Sequence, residues 1–107
     1  MQCAVIEYAR NVLHWTDADS SEFNAARAHP VIDLMDEQRS IHDKGGTMRL
    51  GAYDCAIVPG TLAEKCYGTS AIRERHRHRY EYNSRYRDEL ENGGLKVSGT
   101  NPQRGLV

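Results

Sequence analysis

The stretch of this chain best suited to chemistry is a run of charged and aromatic residues, Glu74-Arg75-His76-Arg77-His78-Arg79-Tyr80-Glu81-Tyr82-Asn83. If the run forms a strand, successive side chains point to opposite faces of the sheet. One face would then carry Arg75, Arg77, Arg79 and Glu81, and the other His76, His78, Tyr80 and Tyr82. One interpretation is an edge strand whose charges discourage pairing with another chain. The other is an anion site, because an arginine guanidinium forms two parallel hydrogen bonds to a carboxylate or phosphate.

Three other features give weaker chemical signals. Cys3 falls in the first turn of a predicted helix, where a thiol can become a nucleophile, but a small buried side chain is the commoner role. His76 and His78 could ligate a metal from one strand face, although the sequence places no third ligand beside them. Glu22 lies in a polar segment and gains a role only if a partner exists for it. We therefore predict no metal site and no catalytic residue within these positions.

Composition limits the class of protein. The chain has 107 residues, 39% of them hydrophobic and 27% charged, as expected for one small folded domain or a part of a larger one. A net charge of −1 argues against general nucleic-acid binding, because such domains are usually basic. No apolar run is long enough to span a bilayer. Three widely spaced cysteines fit no disulfide framework, which favours the cytoplasm.

Helical patterns occupy three segments. Apolar residues at three- and four-residue spacing predict an amphipathic helix over Met1 to Leu13. A second helix is predicted from Leu62 to Tyr67, with Thr61 as its cap, Glu64 completing the capping box and Gly68 ending it. A third helix, Arg85 to Glu91, would begin at Ser84 and stop at Gly93-Gly94.

Strand patterns alternate with these helices, which predicts the α/β class. Short apolar or alternating runs fall at 31–35, 47–58 and 95–99, and a further strand is expected at the final Leu106-Val107. In the second run, Met48, Leu50 and Ala52 would form the buried face and Thr47, Arg49 and Gly51 the other. Gly45-Gly46 before it is a turn rather than a phosphate loop, because it lacks GxxxxGK[ST].

Four motifs resemble those of a known family. They are Met1 to Asn11, Ser20-Ser21-Glu22-Phe23, Gly45 to Gly51 and Glu74 to Glu81, in this order and at similar spacing. Together they resemble the C-terminal class I glutamine amidotransferase domain of the CTP synthase family. The resemblance covers the whole chain. It implies a partial amidotransferase domain over residues 1–107, with a mostly parallel sheet flanked by helices and strands missing at both ends.

The resemblance also implies which residues hold L-glutamine. Gln2 would lie beside the family's cysteine nucleophile, Glu22 would bind the α-ammonium group and Arg79 the α-carboxylate. The family's catalytic cysteine would fall just before Met1, and its His-Pro-Glu motif beyond Val107. His29-Pro30 is followed by Val31 and does not match that motif. The isolated chain is therefore expected to be inactive. No role is predicted for Gly46 to Gly51.

The implied function is that of a glutamine-hydrolysing ligase. Such an enzyme aminates UTP to CTP at the expense of ATP, with Mg²⁺, and takes its nitrogen from glutamine. Thioester chemistry would release ammonia to an upstream synthase domain that binds UTP and ATP. The resemblance implies a cytoplasmic homo-oligomer, a tetramer, with no nucleic acid and no membrane as partner. The alternatives are a binding or regulatory domain that lacks the catalytic triad and, with less support, a nucleic-acid-binding module using Tyr80 and Tyr82.

Overall fold

Two small sheets and several short helices make up the structure, a computed structural model that describes residues 1–26, 28–34 and 49–107. Within these ranges the chain forms, in order, α1 (Gln2–Asn11), β1 (Asp19–Ser20), β2 (Pro30–Asp33), β3 (Arg49–Ile57), α2 (Leu62–Tyr67), β4 (Ala71–His78), β5 (Glu81–Tyr82), a 3₁₀ helix (Ser84–Tyr86), α3 (Arg87–Asn92) and β6 (Gly99–Thr100). None of these helices is long and apolar enough to cross a membrane.

The first sheet has the strand order β1-β2-β5 and packs against α1. Val5 and Ala9 lie four residues apart on α1, so both point to the same side of the helix and are buried there. On the sheet, β2 contributes two consecutive buried residues, because both of its faces are covered. The buried apolar residues of this core are Val5, Ala9, Ala18, Val31, Ile32, Tyr82 and Leu90.

The second sheet has the order β4-β3-β6. β3 and β4 form a long antiparallel pair, in register from Arg49 opposite His78 to Ala56 opposite Ala71. The segment that joins them contains α2, so these two strands form a hairpin with a helical connection. β6 pairs with the other edge of β3 through Gly99 and Thr100. Among the described strands, β4 is therefore an edge strand, as the first interpretation of the basic run requires.

These pairings confirm the α/β class and correct one expectation about the sheet. Of the described strand pairs only β1 with β2 is parallel, and the pairs β2–β5, β3–β4 and β3–β6 are antiparallel. The prediction of a mostly parallel sheet is thus wrong for this part of the chain. The reason is that the chain reverses direction after α2, so that β4 returns along β3 in antiparallel register.

The second predicted helix is confirmed with the same bounds, Leu62–Tyr67. The Thr61 hydroxyl accepts a hydrogen bond from the Glu64 N–H at 3.3 Å, and the Glu64 carboxylate accepts one from the Gly60 N–H at 2.8 Å. The helix ends at Gly68, whose φ of 68° is in the left-handed region that glycine adopts without strain. Both ends are determined by residues within the segment itself.

The first and third helices differ from prediction at their ends. α1 spans Gln2–Asn11, within the predicted Met1 to Leu13. The third helix is preceded by a 3₁₀ turn, Ser84–Tyr86, and becomes α-helical only from Arg87. Asn83 rather than Ser84 caps this turn, because the Asn83 side-chain oxygen accepts a hydrogen bond from the Arg85 N–H at 3.2 Å.

Several predictions for the segments between the helices need correction or lie outside the described residues. The polar segment before Glu22, where no strand was predicted, contains the short strand β1. The strand predicted over 95–99 is replaced by β6, which begins at Gly99, and Leu106-Val107 is not a strand. The predictions for Met35, for Gly45-Gly46 and for Thr47-Met48 lie outside the described ranges.

A polar and aromatic cluster joins the chain before β1 to the chain before β2. Asp17 Oδ1 lies 2.7 Å from His29 Nδ1, and the Trp15 ring stacks on the His29 ring with centroids 5.0 Å apart. The backbone N–H of Ala28 also donates to Asp17 Oδ2 at 3.1 Å. The cluster therefore fixes the loop between the two parallel strands.

We predict that this cluster makes stability sensitive to acid. The hydrogen bond to His29 lowers the pKa of Asp17 below its usual value of 3.8. Since the folded state then holds the proton less tightly than the unfolded state, the stabilisation is present above pH 3.8 and is lost as pH falls below it. Asp17→Asn should reduce this acid-induced loss of stability, whereas Asp88→Asn, at an exposed position on α3, should not. Heat-denaturation midpoints measured from neutral to acidic pH check this, and equal acid profiles for both variants would contradict it.

Candidate functional site

The three residues predicted to bind glutamine come from distant parts of the chain and reach the same end of the first sheet. β1 and β2 are parallel, so both finish at one end, and antiparallel β5 starts there. Glu22 follows β1 by two residues, and Arg79 precedes β5 by two residues. In open α/β sheets, the end at which parallel strands finish is the usual place for a ligand.

Gln2 is joined to this end by a direct contact. Its side-chain Nε2 donates a hydrogen bond to the backbone oxygen of Tyr80 at 2.6 Å. Tyr80 is the residue between Arg79 and β5, so the first turn of α1 is attached to the corner that carries Arg79. Both Gln2 and Arg79 are half-buried. The structure thus brings these two residues into one local unit.

Glu22 lies in a tight turn after β1 and its side chain is exposed. The Ser20 hydroxyl accepts a hydrogen bond from the Glu22 N–H at 3.2 Å, and the Ser20 carbonyl accepts one from the Phe23 N–H at 3.1 Å. The neighbouring Ser21 hydroxyl donates to Asp33 Oδ1 at 2.6 Å, which ties the turn to the end of β2. The backbone at Glu22 is therefore fixed while its carboxylate is open to solvent.

Arg79 lies at a corner between the two sheets. The basic run was predicted as one strand, but β4 ends at His78 and belongs to the second sheet, whereas β5 belongs to the first. The separation of exposed Arg75 and Arg77 from half-buried His76 and His78 is confirmed. The assignment of Arg79 and Glu81 to the same face as those arginines is wrong, because the strand stops before it reaches them.

A buried ion pair lies directly behind this corner. Arg49 and Glu81 are 4% and 2% exposed, and Arg49 Nη1 lies 3.4 Å from Glu81 Oε2. His78 Nδ1 lies 3.3 Å from the other carboxylate oxygen, Oε1. The guanidinium carbon of Arg49 lies 4.6 Å from the centre of the Tyr53 ring, which adds a cation–π contact. We call Arg49, Glu81 and His78 the corner cluster.

Protonation in the corner cluster follows from these contacts. His78 Nδ1 also lies 3.1 Å from the Tyr80 carbonyl oxygen, and since a carbonyl only accepts, Nδ1 carries a proton. Burial raises the pKa of Glu81, although the charges of His78 and Arg49 act in the opposite direction. Burial also lowers the pKa of His76, and the neighbouring charges of Arg49 and His78 lower it further. His76 Nδ1 lies 3.1 Å from His78 Nε2, which extends the cluster by one ring.

The corner cluster was not predicted, because the alternation of residues 47–52 indicates the wrong buried face for β3. Leu50 was predicted to be buried, yet it is 55% exposed, and Arg49 is buried instead. Tyr53, Cys55 and Ile57 lie on the same face as Arg49, and their packing decides the orientation of the whole strand. The alternation of Tyr53, Cys55 and Ile57 was therefore the sequence signal from which the buried face of β3 could have been predicted. Gly51, for which no role was predicted, has a φ of 98° and lies within the continuous pairing of β3 with β4.

The remaining candidates have no partners that suggest chemistry. Cys3 is exposed, which corrects its interpretation as a buried side chain, and Cys55 and Cys66 are also free thiols. Among the described residues, no three His, Cys, Asp or Glu side chains are close enough to hold a metal ion. Gln2, Glu22 and Arg79, with the corner cluster behind Arg79, therefore stay the candidate residues of the site.

Comparison with known proteins gives the family of the chain. The model of the family described as glutamine amidotransferase class-I matches residues 1–107. The chain therefore belongs to the class-I glutamine amidotransferase family.

Its relatives indicate the branch of that family. The chain is 61% identical over 107 residues to the CTP synthase of Flavobacterium johnsoniae and 59% identical to that of Chloroflexus aggregans. It spans 20% of the length of each. Among solved structures, it is similar to the glutaminase domain of Trypanosoma brucei CTPS with bound acivicin, with a TM-score of 0.84 and 44% identity over 94% of this chain and 38% of that one. The resemblance inferred from the sequence motifs is confirmed.

Proposed function

We propose that this chain is the glutamine-binding part of a CTP synthase. The observation that supports the proposal is the hydrogen bond of 2.6 Å from Gln2 to Tyr80, beside Arg79, at the end of the first sheet where β1, which precedes Glu22, also finishes. The identity of 61% with a CTP synthase over all 107 residues supports the choice of enzyme. The class of the domain supports free glutamine as the substrate.

Each residue has a role that suits its chemistry. Arg79 would bind the α-carboxylate of glutamine through its planar fork of donors. Glu22, exposed on a fixed turn, would bind the α-ammonium group. Gln2 would lie beside the reacting amide, and it also holds the corner in place through Tyr80. In the thioester chemistry that the resemblance implies, a cysteine thiolate attacks the amide carbon and backbone N–H groups stabilise the oxyanion.

The rest of the reaction would take place in other parts of such an enzyme. We propose that ammonia passes to a synthase domain, which binds UTP and ATP with Mg²⁺ and forms CTP. The described residues of this chain offer no cluster that fits Mg²⁺, so no step of that chemistry is assigned to them. A cytoplasmic homo-oligomer is the form we propose. The free state of the cysteines supports the compartment.

The test uses a complete enzyme as host. Residues 1–107 replace the matching segment of the Flavobacterium johnsoniae CTP synthase, to which they are 61% identical, and CTP formation is measured with glutamine or with ammonia. The chimera should use both nitrogen sources.

Glu22→Gln should lower kcat/KM for glutamine roughly 10- to 100-fold, because it removes the charged partner of the ammonium group. The rate with ammonia should stay the same.

The matched control is Glu89→Gln, which removes an exposed carboxylate from α3. It should leave both rates unchanged. If Glu22→Gln lowered the rates with glutamine and ammonia equally, Glu22 would serve folding or the synthase site, and its role in glutamine binding would be refuted. A chimera that forms CTP from ammonia but never from glutamine would refute the proposed function of the whole segment.

A further inference from the structure

The corner between β4 and β5 is held from more sides than a surface turn requires. Tyr80 O accepts hydrogen bonds from Gln2 Nε2 at 2.6 Å and from His78 Nδ1 at 3.1 Å. His78 also lies 3.3 Å from Glu81, which starts β5. The turn formed by Arg79 and Tyr80 is thus held at the Tyr80 carbonyl by α1 and β4, and the contact of His78 with Glu81 joins its two ends.

The ion pair behind the corner is buried more completely than a contribution to stability would require. Arg49 and Glu81 are 4% and 2% exposed, so both charges have lost nearly all of their contact with water. A buried pair of this kind is often no more stabilising than apolar residues of the same size, because desolvation offsets the attraction. What the pair does provide is a defined position of one sheet relative to the other. Arg49 is on the second sheet and Glu81 on the first, so the pair fixes one sheet against the other at the corner.

We propose that the corner cluster of Arg49, Glu81 and His78 positions Arg79 for the α-carboxylate of glutamine. This proposal rests on the proposed function, since it needs Arg79 to bind that carboxylate. The three residues are positioning residues and do not touch the substrate. Glu81 holds the start of β5, His78 holds the end of β4 and the Tyr80 carbonyl, and Arg49 anchors Glu81 to β3.

The exposed pair between Arg73 and Asp54 offers a built-in comparison. It also joins β4 to β3, with Arg73 Nε 3.7 Å from Asp54 Oδ1, but the two side chains are 70% and 61% exposed. An exposed ion pair contributes little to stability and does little to fix the positions of the residues that it joins. If charge pairing with residues of β3 in general mattered for glutamine use, Asp54, which pairs β3 with β4, and Glu81, which pairs β5 with β3, would behave alike. The proposal requires that they differ.

The experiment compares L-glutamine with L-glutaminamide, in which a neutral amide replaces the α-carboxylate. In the chimera, the KM for glutamine and the Ki or KM for glutaminamide are measured for Glu81→Gln, His78→Ala, Asp54→Asn and Arg79→Ala. A displaced Arg79 should weaken glutamine binding roughly 10- to 100-fold, the loss that a misplacement of about 1 Å can cause. Glutaminamide binding should change little, because Arg79 has no carboxylate to bind there.

The expected result is that the preference for glutamine over glutaminamide falls in Glu81→Gln and His78→Ala as it does in Arg79→Ala, and persists in Asp54→Asn. A purely structural role would weaken both ligands equally and leave the preference unchanged, which would overturn the proposal. His78→Ala keeps the test decisive if Glu81→Gln fails to fold, since His78 is the more exposed residue. If Arg79→Ala itself left the preference intact, the proposed function of Arg79 would fail, and the two failures are thereby distinguished.

Discussion

Replacing Arg79 by Ala should nearly abolish glutamine-dependent CTP formation in the chimera while ammonia-dependent formation continues. Under the proposed function, the change removes a bidentate, charge-assisted contact to the α-carboxylate of glutamine. Loss of one partner of such a contact costs on the order of 2–5 kcal/mol, which corresponds to a fall of roughly 30- to several-thousand-fold in kcat/KM. Ammonia carries no carboxylate that Arg79 would have to bind, so we expect the rate with ammonia to stay the same. Steady-state rates with each nitrogen source, at saturating UTP and ATP, measure the effect.

Two further variants make this prediction specific. Arg79→Lys should recover little activity, because a single ammonium group cannot reproduce the planar fork of the guanidinium. Arg77→Ala removes an exposed arginine two residues earlier, at the end of β4, and should leave both rates unchanged. If Arg79→Ala and Arg77→Ala reduced the glutamine rate equally, the basic run would act through its overall charge, and the specific contact would be refuted.

Replacing Leu90 by Ala should cause a large loss of stability in the first core, the buried apolar cluster between α1 and the first sheet. Leu90 lies on α3, and its side chain is 0% exposed, so the substitution removes buried methyl groups and leaves a cavity. Changes of this type cost about 2–5 kcal/mol. In a domain of ordinary size, we expect the midpoint of heat inactivation to fall by roughly 4 to 20 °C. The measurement is the glutamine-dependent rate that survives heating of the chimera to a series of temperatures.

The matched control for this change is Leu62→Ala. Leu62 starts α2 and is 75% exposed, so the same atoms are removed from solvent-facing surface. A change at such a position should alter stability by no more than about 0.5 kcal/mol. The ammonia-dependent rate is a second control, because it reports on the synthase part of the chimera. Equal shifts for Leu90→Ala and Leu62→Ala would show that the first core does not limit the stability of the domain.

The parts of the fold that the sequence predicts well are those that short-range chemistry determines. α2 has the predicted bounds because Thr61, Glu64 and Gly68 satisfy or end its backbone hydrogen bonds locally. α1 follows from the spacing of Val5 and Ala9 on one face. In both cases the residues that form the element also contain the information about where it begins and ends.

The buried face of β3 depends on contacts that the local pattern does not contain. Leu50 and Arg49 exchanged their expected environments because Tyr53, Cys55 and Ile57 determine which side of the strand packs. The partner of Arg49 is Glu81, in another sheet and far along the chain. Hydrophobic alternation gives a strand its period, but only tertiary contacts decide which of the two faces is covered.

The candidate site was named from resemblance rather than from spacing. Gln2, Glu22 and Arg79 form no local motif, and no periodic pattern links a helix start, a loop and a corner. Their meeting depends on the parallel pairing of β1 with β2 and on the attachment of Gln2 to Tyr80. The division of the basic run between two sheets is likewise set by the partners of β4 and β5, which lie elsewhere in the chain.

Because Tyr80 holds the corner through its main-chain oxygen, any residue at position 80 that keeps the packing of Tyr80 against the core would present the same hydrogen-bond acceptor to Gln2 and His78. The length of the corner has no such freedom. An inserted residue between His78 and Glu81 would move the carbonyl away from both donors and turn Arg79 to a new direction. Related sequences should therefore differ at this corner by substitution of Tyr80 and hardly ever by insertion or deletion. Substrate binding would then constrain the number of residues in the corner more than the identity of residue 80.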